Sequence, residues 1–307
     1  MLLMVSKKKF DFKTPILYLA FNRLDLVKRT FPEIKKIKPK ELYISVDGPR
    51  DKREKKKTDE VRKYILKQID WDCKVETLFP KSNLGCKVAV SRAIDWFFDN
   101  VKMGIVLEDD CLPSQDFFRY CQDLLEKYEN DERLASICGT NPINIRGKES
   151  YGFVNTIALW GWASWRRSWK KIYHNEEEYM KKMESKKYLK ETFPNIIERV
   201  YFGKKYIDAI NDKVNTWEFP WHLGIFRSGG LNAIPKVNLV ENIGIDDGFT
   251  NTAPNLTDEK FLVLKREKMN FPLRHPGKIR RNNLIRWMLT YRDYKRVIMK
   301  KLNVLFS

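Results

Sequence analysis

Three acids follow directly after an apolar run about a third of the way along the chain. The stretch GIVLEDD places Glu108, Asp109 and Asp110 behind three large apolar residues. Carboxylate oxygens there can hold a hard divalent cation such as Mg²⁺ or Mn²⁺, which takes one or two protein carboxylates and fills its other positions with water and phosphate oxygens. Departure of a nucleoside diphosphate requires such a cation, because the metal neutralises the developing charge. A solvated strand end is the plainer alternative.

Five short apolar runs alternate with helical segments and predict where these acids lie. Between the first two runs, Leu24 to Ile37 repeats apolar residues at helical spacing. This alternation predicts an α/β fold with a mainly parallel sheet flanked by helices on both faces. The runs are ILYLAF (16–21), LYISV (42–46), KVETLF (74–79), GIVL (104–107) and LASICG (134–139).

The acids fall at the end of the fourth run. Ligands of an open parallel sheet bind beyond the carboxyl ends of its strands, so the position favours the metal interpretation. Side chains alternate along an extended strand, which would point Glu108 and Asp110 one way and Asp109 the other. All three can serve one ion only if the chain bends. Ser114 is expected to cap the helix that follows.

Composition narrows the class of protein. The chain has 307 residues, 43% of them hydrophobic, and a net charge of +19. It is therefore expected to be globular and to attract polyanions, anionic lipid or phosphorylated small molecules. Its five cysteines form no CxxC pair, which indicates neither a disulfide framework nor structural zinc. The apolar start MLLMV is too short for a signal peptide or a membrane span, so a reducing, cytoplasmic location is expected.

The pattern changes beyond Gly139. The stretch TIALWGWASWRRSWKK (156–171) places four tryptophans within ten residues. Clustered tryptophans are most often core residues, although a flat sugar face also packs well on an indole. Residues 229–250 are rich in Gly, Pro and Asn, which is typical of short strands and loops.

Several motifs together resemble GT-A glycosyltransferases, especially those similar to N-acetylglucosaminyltransferase I, and bacterial nucleotide-diphospho-sugar transferases. IVLEDDCLPSQDFFRY resembles their acidic motif, in which a strand ends in Glu-Asp-Asp before a short loop and DFF. AFNRLD and ISVDG resemble their first two strand ends, and NLGCKVAVSRAIDWFF resembles the segment before the metal motif. ALWGWASW is similar to their Gly-Trp loop, and NLVENIG and PLRHP are similar to the closing motifs. The resemblance covers about residues 14–277.

The resemblance implies a GT-A (Rossmann-like) fold and roles for individual residues. Asp110 would coordinate Mn²⁺ or Mg²⁺, while Glu108 and Asp109 would contact the ribose and sugar of the donor. Arg23 and Asp47 would contact the nucleotide. These roles are chemically sensible, since a carboxylate can accept the imide N–H of uracil and an arginine can bind a phosphate or a carbonyl edge.

Two of the implied contacts have strong structural alternatives. Asp47 lies in Asp-Gly-Pro, which forms turns without any ligand. Gly161 and Trp162 would neighbour the donor sugar or the acceptor, but they belong to the tryptophan cluster that a core would also explain.

The resemblance implies that Glu218, in the segment TWEFPW, is the general base. The transferases that this chain resembles also have an acid after the first tryptophan of this segment. Glu218 would deprotonate the acceptor hydroxyl, as expected of an inverting transfer, and its aromatic neighbours would raise its pKa by desolvation. A surface acid beside core aromatics is the alternative. Asp246 and Asp247 compete for the role. Relatives often have a histidine after that loop, where this chain has Asn251, and His275 is a candidate to reach the metal or a phosphate instead.

The predicted function is a metal-dependent glycosyltransferase of the hexosyltransferase type. It would move a sugar from a nucleotide sugar, first of all a UDP sugar, to a glycan or glycolipid in polysaccharide biosynthesis, with inversion implied by the resemblance alone. A GT-A domain would occupy residues 1–277, with a nucleotide-binding half at about 14–140 and an acceptor half at about 141–277.

Two other functions compete with this prediction. A sugar-phosphate nucleotidyltransferase usually needs a glycine-rich loop after its first strand, where this chain has AFNRLD. A nucleic-acid-binding protein would explain the run RDKREKKK (50–57), but such runs are usually solvated loops and no recognition module accompanies it. A nucleic-acid partner is therefore not expected.

The tail 278–307 is predicted to be a basic amphipathic helix. Cations surround a single apolar stripe, which suits an anionic membrane surface, so peripheral attachment to the inner face of the membrane is expected. Packing of the stripe on the catalytic domain is the alternative. The stripe consists of Leu284, Trp287, Met288, Tyr291, Tyr294, Ile298, Leu302 and Leu305.

Overall fold

The computed structural model describes most of the chain, and all structural statements concern that part. The described residues are 10–143, 145, 147–156, 159–173, 185–193, 195–210, 216–244 and 264–292.

The strands lie mainly where the apolar runs predict them. Each of the five predicted runs contains or overlaps one strand of the main sheet. The strands are β1 Ile16–Ala20, β2 Glu41–Val46, β3 Lys74–Leu78, β4 Met103–Glu108, β5 Cys111–Pro113, β6 Leu134–Cys138, β7 Tyr151–Val154, β8 Trp162–Trp165, β9 Leu231–Pro235 and β10 Val240–Asn242.

Helices follow most of the strands. The helix predicted from Leu24 to Ile37 has those bounds, and Ser114 caps α4 as predicted, since its Oγ accepts a hydrogen bond from Phe117 N at 3.3 Å. The helices are α1 Leu24–Ile37, α2 Lys52–Gln68, α3 Cys86–Asn100, α4 Gln115–Lys127, α5 Arg166–Ile172, α6 Lys186–Thr192, α7 Ile196–Ile210, α8 Glu218–Ser228 and α9, residues 283–292.

The main sheet has eight strands in the order β3-β2-β1-β4-β8-β6-β9-β7. The pairs β3-β2, β2-β1, β1-β4 and β6-β9 are parallel, whereas β8 and β7 run antiparallel to their neighbours. Helices α1, α2 and α4 pack on one face, and α3, α5 and α8 pack on the other. The predicted fold class, a mainly parallel sheet flanked by helices, is confirmed.

Strand β8 enters the sheet between the strands of the fourth and fifth apolar runs. It separates β4 from β6 and pairs antiparallel with both. The turn before it depends on Gly161, which has φ +64° and whose carbonyl oxygen accepts a hydrogen bond from Gly139 N at 2.8 Å. A side chain at Gly161 would also collide with Val240. A second, two-stranded sheet of β5 and β10 lies beside this turn.

Helix α9 packs on the edge of the sheet that β7 forms. Ile285 and Leu289 are buried against Val154 and Ile234. Asn282 precedes the helix, and its Oδ1 accepts a hydrogen bond from Ile285 N at 3.0 Å. None of the helices within the described ranges is both long enough and apolar enough to cross a bilayer. Residues 293–307 of the predicted tail lie outside the described residues.

Candidate functional site

The carboxyl ends of β1, β2 and β4 meet at one edge of the sheet. In the parallel pairs that β1 makes, Leu19 lies opposite Glu108 and Ala20 lies opposite Val46. The residues that follow these strand ends are therefore neighbours. A cavity of about 450 Å³ opens beside them.

Segments that are far apart in the chain line this cavity. They include the loops after β1 and β2, the start of α3, the turn after β4 and the start of α8. Six of the eight predicted site residues come together here, and Gly161 and Trp162 are not among the lining residues. The charged and amide side chains of the lining are Asn22, Arg23, Asp47, Arg50, Asn83, Glu108, Asp109, Asp110, Glu218 and Asn242.

The three acids after β4 all border the cavity because the chain turns there. β4 ends at Glu108, a turn occupies residues 109 and 110, and β5 begins at Cys111. A continuous strand would have pointed the middle acid away. The structure therefore contains the bend that a shared site for these acids requires.

Arg23 fixes the two aspartates of this turn. Its Nη2 donates hydrogen bonds to Asp109 Oδ1 and to Asp110 Oδ2, the second at 3.1 Å, and its Nε donates to Asp109 Oδ2 at 3.5 Å. Burial alone would lower the pKa of Arg23, but attraction to both aspartates raises it. The Asp109 side chain is 4% exposed and that of Asp110 is 19% exposed. Asp110 is therefore the more accessible aspartate of the pair, although both border the cavity.

The acidic end of the cavity holds more negative than positive charge. Burial raises the pKa of Glu108, and repulsion from Asp110, Asp109 and Glu218 raises it further, against the attraction of Arg23. The pKa of Asp109 is raised too, first by burial and then by Asp110, although Arg23 opposes the shift. A divalent cation bound among these carboxylates would relieve their repulsion.

The residues of this cavity fit Mg²⁺ or Mn²⁺ better than a metal that needs a complete protein cage. Within the described ranges, no group of three or more His, Cys, Asp or Glu side chains forms such a cage. Mg²⁺ is held by one or two carboxylates when waters and substrate phosphates supply the other ligands. Asp110 offers an accessible hard oxygen ligand, and Glu108 is a second carboxylate that lines the same cavity.

Asp47 joins the end of β2 to the loop before α3. Its Oδ1 accepts hydrogen bonds from Gly48 N at 2.7 Å and from Leu84 N at 3.1 Å, and its Oδ2 accepts one from Asn83 Nδ2 at 2.9 Å. Gly48 leaves no room for a side chain, because an added Cβ would lie 2.2 Å from Ser82 O. Asp47 therefore stabilises the turn that Asp-Gly-Pro predicts. The carboxylate also borders the cavity, where a ligand can meet it.

The N-terminus of α3 borders the cavity between Asp47 and the acids. Gly85 is the N-cap residue with φ +78°, and it lines the cavity together with Cys86, Ala89 and Val90. Small side chains at these positions let a ligand approach the first helical turn. The positive end of a helix dipole favours an anion such as a phosphate.

Glu218 reaches the cavity from a different element, as the first residue of α8. The residue before it, Trp217, is buried and stacks on Trp162 with 5.6 Å between ring centroids. Trp169 and Trp221 complete this buried tryptophan cluster. The cluster fixes the start of α8 and therefore the position of Glu218.

The structure corrects the prediction for Gly161 and Trp162. Trp162 is 1% exposed and belongs to the tryptophan cluster, so it supports the wall and cannot touch a donor. Gly161 is needed for the turn before β8 and for its close contact with Val240. The tryptophan that lines the cavity is Trp160, on the other side of the glycine.

His275 lies away from the cavity, contrary to the suggestion that it reaches a metal or phosphate there. Its Nδ1 is 2.9 Å from the hydroxyl of Tyr151, which in turn is 2.6 Å from the hydroxyl of Tyr128. Burial lowers the pKa of His275, and the nearby Lys127 lowers it further. The other candidates Asp246 and Asp247, like Asn251, lie outside the described residues.

Four charged or amide residues of the lining were not predicted from the sequence, namely Asn22, Arg50, Asn83 and Asn242. Asn83 holds Asp47, Asn242 lies on β10 beside the acids, and Arg50 stands at the mouth of the cavity. Arg50 Nε donates to Glu54 Oε2 at 2.9 Å, and its guanidinium lies 5.5 Å from the Phe21 ring centroid. The motif SNLG, with an amide before a glycine that opens a helix, is the one signal that would have drawn attention to Asn83.

Comparison by sequence finds no relative for this chain. No family model matches it, and no curated protein matches it either.

Comparison by structure finds distant similarities, which concern the fold only. One similar structure is the mannosyltransferase PcManGT from Pyrobaculum calidifontis, solved with GDP-Man and Mn²⁺. The match includes 72% of this chain and 74% of that chain, with a TM-score of 0.41 and 11% sequence identity. TarS 1-349 from S. aureus covers 52% with a TM-score of 0.36 and 10% identity, and this chain spans about half of it, 48%. The match to HddC from Yersinia pseudotuberculosis includes 50% of this chain and 77% of that chain, with a TM-score of 0.32 and 13% sequence identity.

Proposed function

We propose that this chain is a metal-dependent GT-A glycosyltransferase that moves a sugar from a nucleotide sugar to a glycan or glycolipid. A UDP sugar is the expected donor. The observation that carries the proposal is the cavity at the carboxyl ends of β1, β2 and β4. Acids from distant parts of the chain meet there, namely Asp47, the three acids after β4, and Glu218.

The two ends of the cavity suit the two ends of such a donor. At one end lies Asp47, whose carboxylate would accept the imide N–H of uracil. At the other end lie Arg23 and the acids after β4, and the start of α3 lies between. A donor spanning this cavity would place its base at Asp47, its diphosphate near α3 and Asp110, and its sugar at Glu108 and Asp109.

Asp110 is the proposed ligand of Mn²⁺ or Mg²⁺. When bound, such an ion stabilises the charge on the departing nucleoside diphosphate. Arg23 keeps Asp110 in place through its hydrogen bond to Oδ2 and brings one positive charge to the same end of the cavity. Its Nη1 makes no hydrogen bond within the described part of the chain and is free to donate to a phosphate or ribose oxygen.

Glu218 is the proposed general base of an inverting transfer. Its carboxylate would take the proton of the acceptor hydroxyl as that oxygen forms a bond to the anomeric carbon. The bond from this carbon to the diphosphate breaks at the same time, and its electron pair leaves with the nucleoside diphosphate. Support comes from the position of Glu218 at the donor cavity on an element held by buried tryptophans.

The two alternative functions fit the cavity less well. After β1 the chain has Phe21, Asn22 and Arg23, with no glycine-rich loop for the nucleotide of a nucleotidyltransferase. Residues 52–57 of the basic run form the start of α2, an ordinary helix with a solvated face on which Lys55 pairs with Asp59. A nucleic acid would also meet repulsion at a cavity lined by acids.

We also propose that the protein attaches peripherally to the inner face of an anionic membrane. The support is the outer face of α9, on which Leu284, Trp287 and Tyr291 are exposed.

A donor screen tests the catalytic proposal. Thermal stabilisation and hydrolysis would be measured with UDP, GDP, CMP and dTDP sugars, with Mn²⁺ and with a chelator. We expect stabilisation by a UDP sugar that requires the metal. If no nucleotide sugar stabilises the protein, or if a non-UDP sugar alone does so, the donor assignment is wrong.

The role of Glu218 has a separate test. Glu218→Gln should bind the donor as the wild type does and lose transfer by at least about a hundredfold, since general-base catalysis contributes at least that much. Glu60→Gln, an exposed acid on α2, is the matched control. Full transfer activity in Glu218→Gln would assign the base to Asp246, Asp247 or another acid.

A further inference from the structure

Helix α9 presents an aromatic face to solvent. Leu284 is 66% exposed, Trp287 is 53% exposed and Tyr291 is 48% exposed. The rings of Trp287 and Tyr291 stack, with 5.3 Å between their centroids. Trp and Tyr with an apolar ring and a polar tip are the side chains that favour the boundary between lipid and water.

The opposite face of α9 is fixed to the body of the protein. Ile285 and Leu289 are buried, and the guanidinium of Arg286 forms an ion pair with the buried Glu198 of α7. Thr290 Oγ1 also donates to Glu198 Oε1 at 3.4 Å. The helix therefore cannot rotate to bury Trp287 and Tyr291 without breaking this pair.

A basic groove of about 570 Å³ lies just before α9 in the chain. Lys127, Lys278 and Arg280 line it, all three are exposed, and none forms an ion pair within the described part of the chain. Arg133 also lines the groove but is paired with Asp131 at 2.7 Å. The groove thus has three cations available for an anionic partner.

The groove and the aromatic face are close together in the chain. Leu284 is four positions after Arg280, so their Cα atoms lie within about 14 Å of each other. From residue 268 to residue 292 the chain has no Asp or Glu and seven Lys or Arg. We call Lys127, Lys278, Arg280, Leu284, Trp287 and Tyr291 the basic aromatic surface.

We propose that the basic aromatic surface is the membrane contact of this protein, with the groove on the phosphates of anionic lipid headgroups and the aromatic face in the interface of the bilayer. Lys127 belongs to α4, so the contact is part of the folded domain as well as of the tail. Residues 293–307 are not needed to form it. The proposal rests on the peripheral attachment proposed above, and it is independent of catalysis because none of its residues lines the donor cavity.

The position of the groove sets the orientation of the protein on the bilayer. Arg133 directly precedes β6, so the groove lies at the amino-terminal edge of that strand. β6 runs in the same direction as β4, since both are antiparallel to β8. The donor cavity lies at the carboxyl-terminal edge of β4 and would face the solution. Soluble donor could enter freely, and the acceptor would be a soluble or long glycan in preference to a short glycolipid.

The test is co-sedimentation of the full chain with two kinds of vesicle, phosphatidylcholine alone and phosphatidylcholine mixed with phosphatidylglycerol. We expect binding to the mixed vesicles only. Lys127→Gln should weaken it about fivefold, and Lys278→Gln with Arg280→Gln about 25-fold, because each basic residue near such a surface contributes about 1 kcal/mol. Trp287→Ala with Tyr291→Ala should weaken it at least about tenfold through lost apolar burial. Lys56→Gln with Lys63→Gln, two exposed lysines of α2, should change it less than about twofold.

Several results would overturn the proposal. They are equal binding to both kinds of vesicle, no binding, or binding that all the surface variants retain. Submicromolar binding to duplex DNA at physiological salt, lost in the same variants while vesicles are ignored, would make the surface a nucleic-acid site. Donor binding by calorimetry, measured on each variant, separates this proposal from the catalytic one. Variants that lose vesicle binding should keep their affinity for the donor.

Discussion

Arg23 and Asp47 show how single charged side chains shape the cavity. Arg23 directs most of its donors at Asp109 and Asp110, and so determines where those acids stand. Asp47 directs its acceptors at the loop before α3, through Asn83 and Leu84. The sequence predicts that both residues contact the donor. In the structure, each also holds neighbouring residues of the cavity in place.

The first prediction concerns Asp47. Asp47→Asn should weaken the binding of UDP about tenfold or more, since a hydrogen bond to a charged group contributes roughly 1.5–3 kcal/mol. The loss should be the same with and without Mn²⁺, because the contact is with the base. Calorimetric titration with UDP measures it, and Asp131→Asn, an acid at the groove end of the molecule, is the control. An unchanged affinity for UDP would leave Asp47 with a structural role only.

The sequence locates the acids of the site but not all of its residues. Glu108, Asp109 and Asp110 can be placed because they directly follow a strand, and strand ends can be read from apolar runs. Asn83 and Arg50 lie in loops, and they reach the cavity only because the loops after β2 and β3 fold back on each other. No local pattern specifies that contact.

At the scale of elements, β8 and the turn before it were the least predictable part of the fold. WASW was read as part of a loop, because its pairing with β4 and β6 depends on residues far away in the chain. The resemblance of this motif to a Gly-Trp loop implies a place beside the donor for Trp162, whereas the tryptophan in the cavity lining is Trp160. Strands of the parallel half were easier, since each follows its helix in a regular alternation.

The second prediction separates these two tryptophans. Trp162→Leu should lower the free energy of unfolding by about 3 kcal/mol, as expected when a large buried aromatic is truncated. Trp160→Leu should cost about 1 kcal/mol or less, because Trp160 is only partly buried, and should weaken binding of the sugar nucleotide. Thermal unfolding and donor titration of both variants test this pair. The opposite assignment of effects would restore Trp162 to the site.

At the scale of the whole molecule, α9 closes the edge of the sheet and carries the basic aromatic surface. The sequence predicts an apolar stripe there, but it cannot tell whether the stripe packs inward. In the structure Ile285 and Leu289 pack inward, and Leu284, Trp287 and Tyr291 of the predicted stripe are exposed. The helix has apolar residues on both sides, so its periodicity alone does not determine the choice.

The third prediction tests how α9 is held. Arg286→Met leaves the Glu198 carboxylate buried without its cation and should lower the free energy of unfolding by about 3 kcal/mol. Thermal unfolding and limited proteolysis within residues 283–292 measure the effect. Arg280→Met, an exposed cation three residues before the helix, is the control. A variant as stable as the wild type, with α9 still protected, would show that apolar packing alone anchors the helix.

The central claim is that Asp110 holds the metal that a nucleotide-sugar transfer needs. The most direct measurement is the turnover of a UDP sugar with Mn²⁺ by the wild type, by Asp110→Asn and by the control Asp59→Asn, an exposed acid of α2. We predict that Asp110→Asn keeps its melting temperature and loses at least about a hundredfold in rate, because a metal in this role contributes several kcal/mol. The control should match the wild type. Wild-type turnover by Asp110→Asn, or full activity of the wild type in a chelator, would contradict the account.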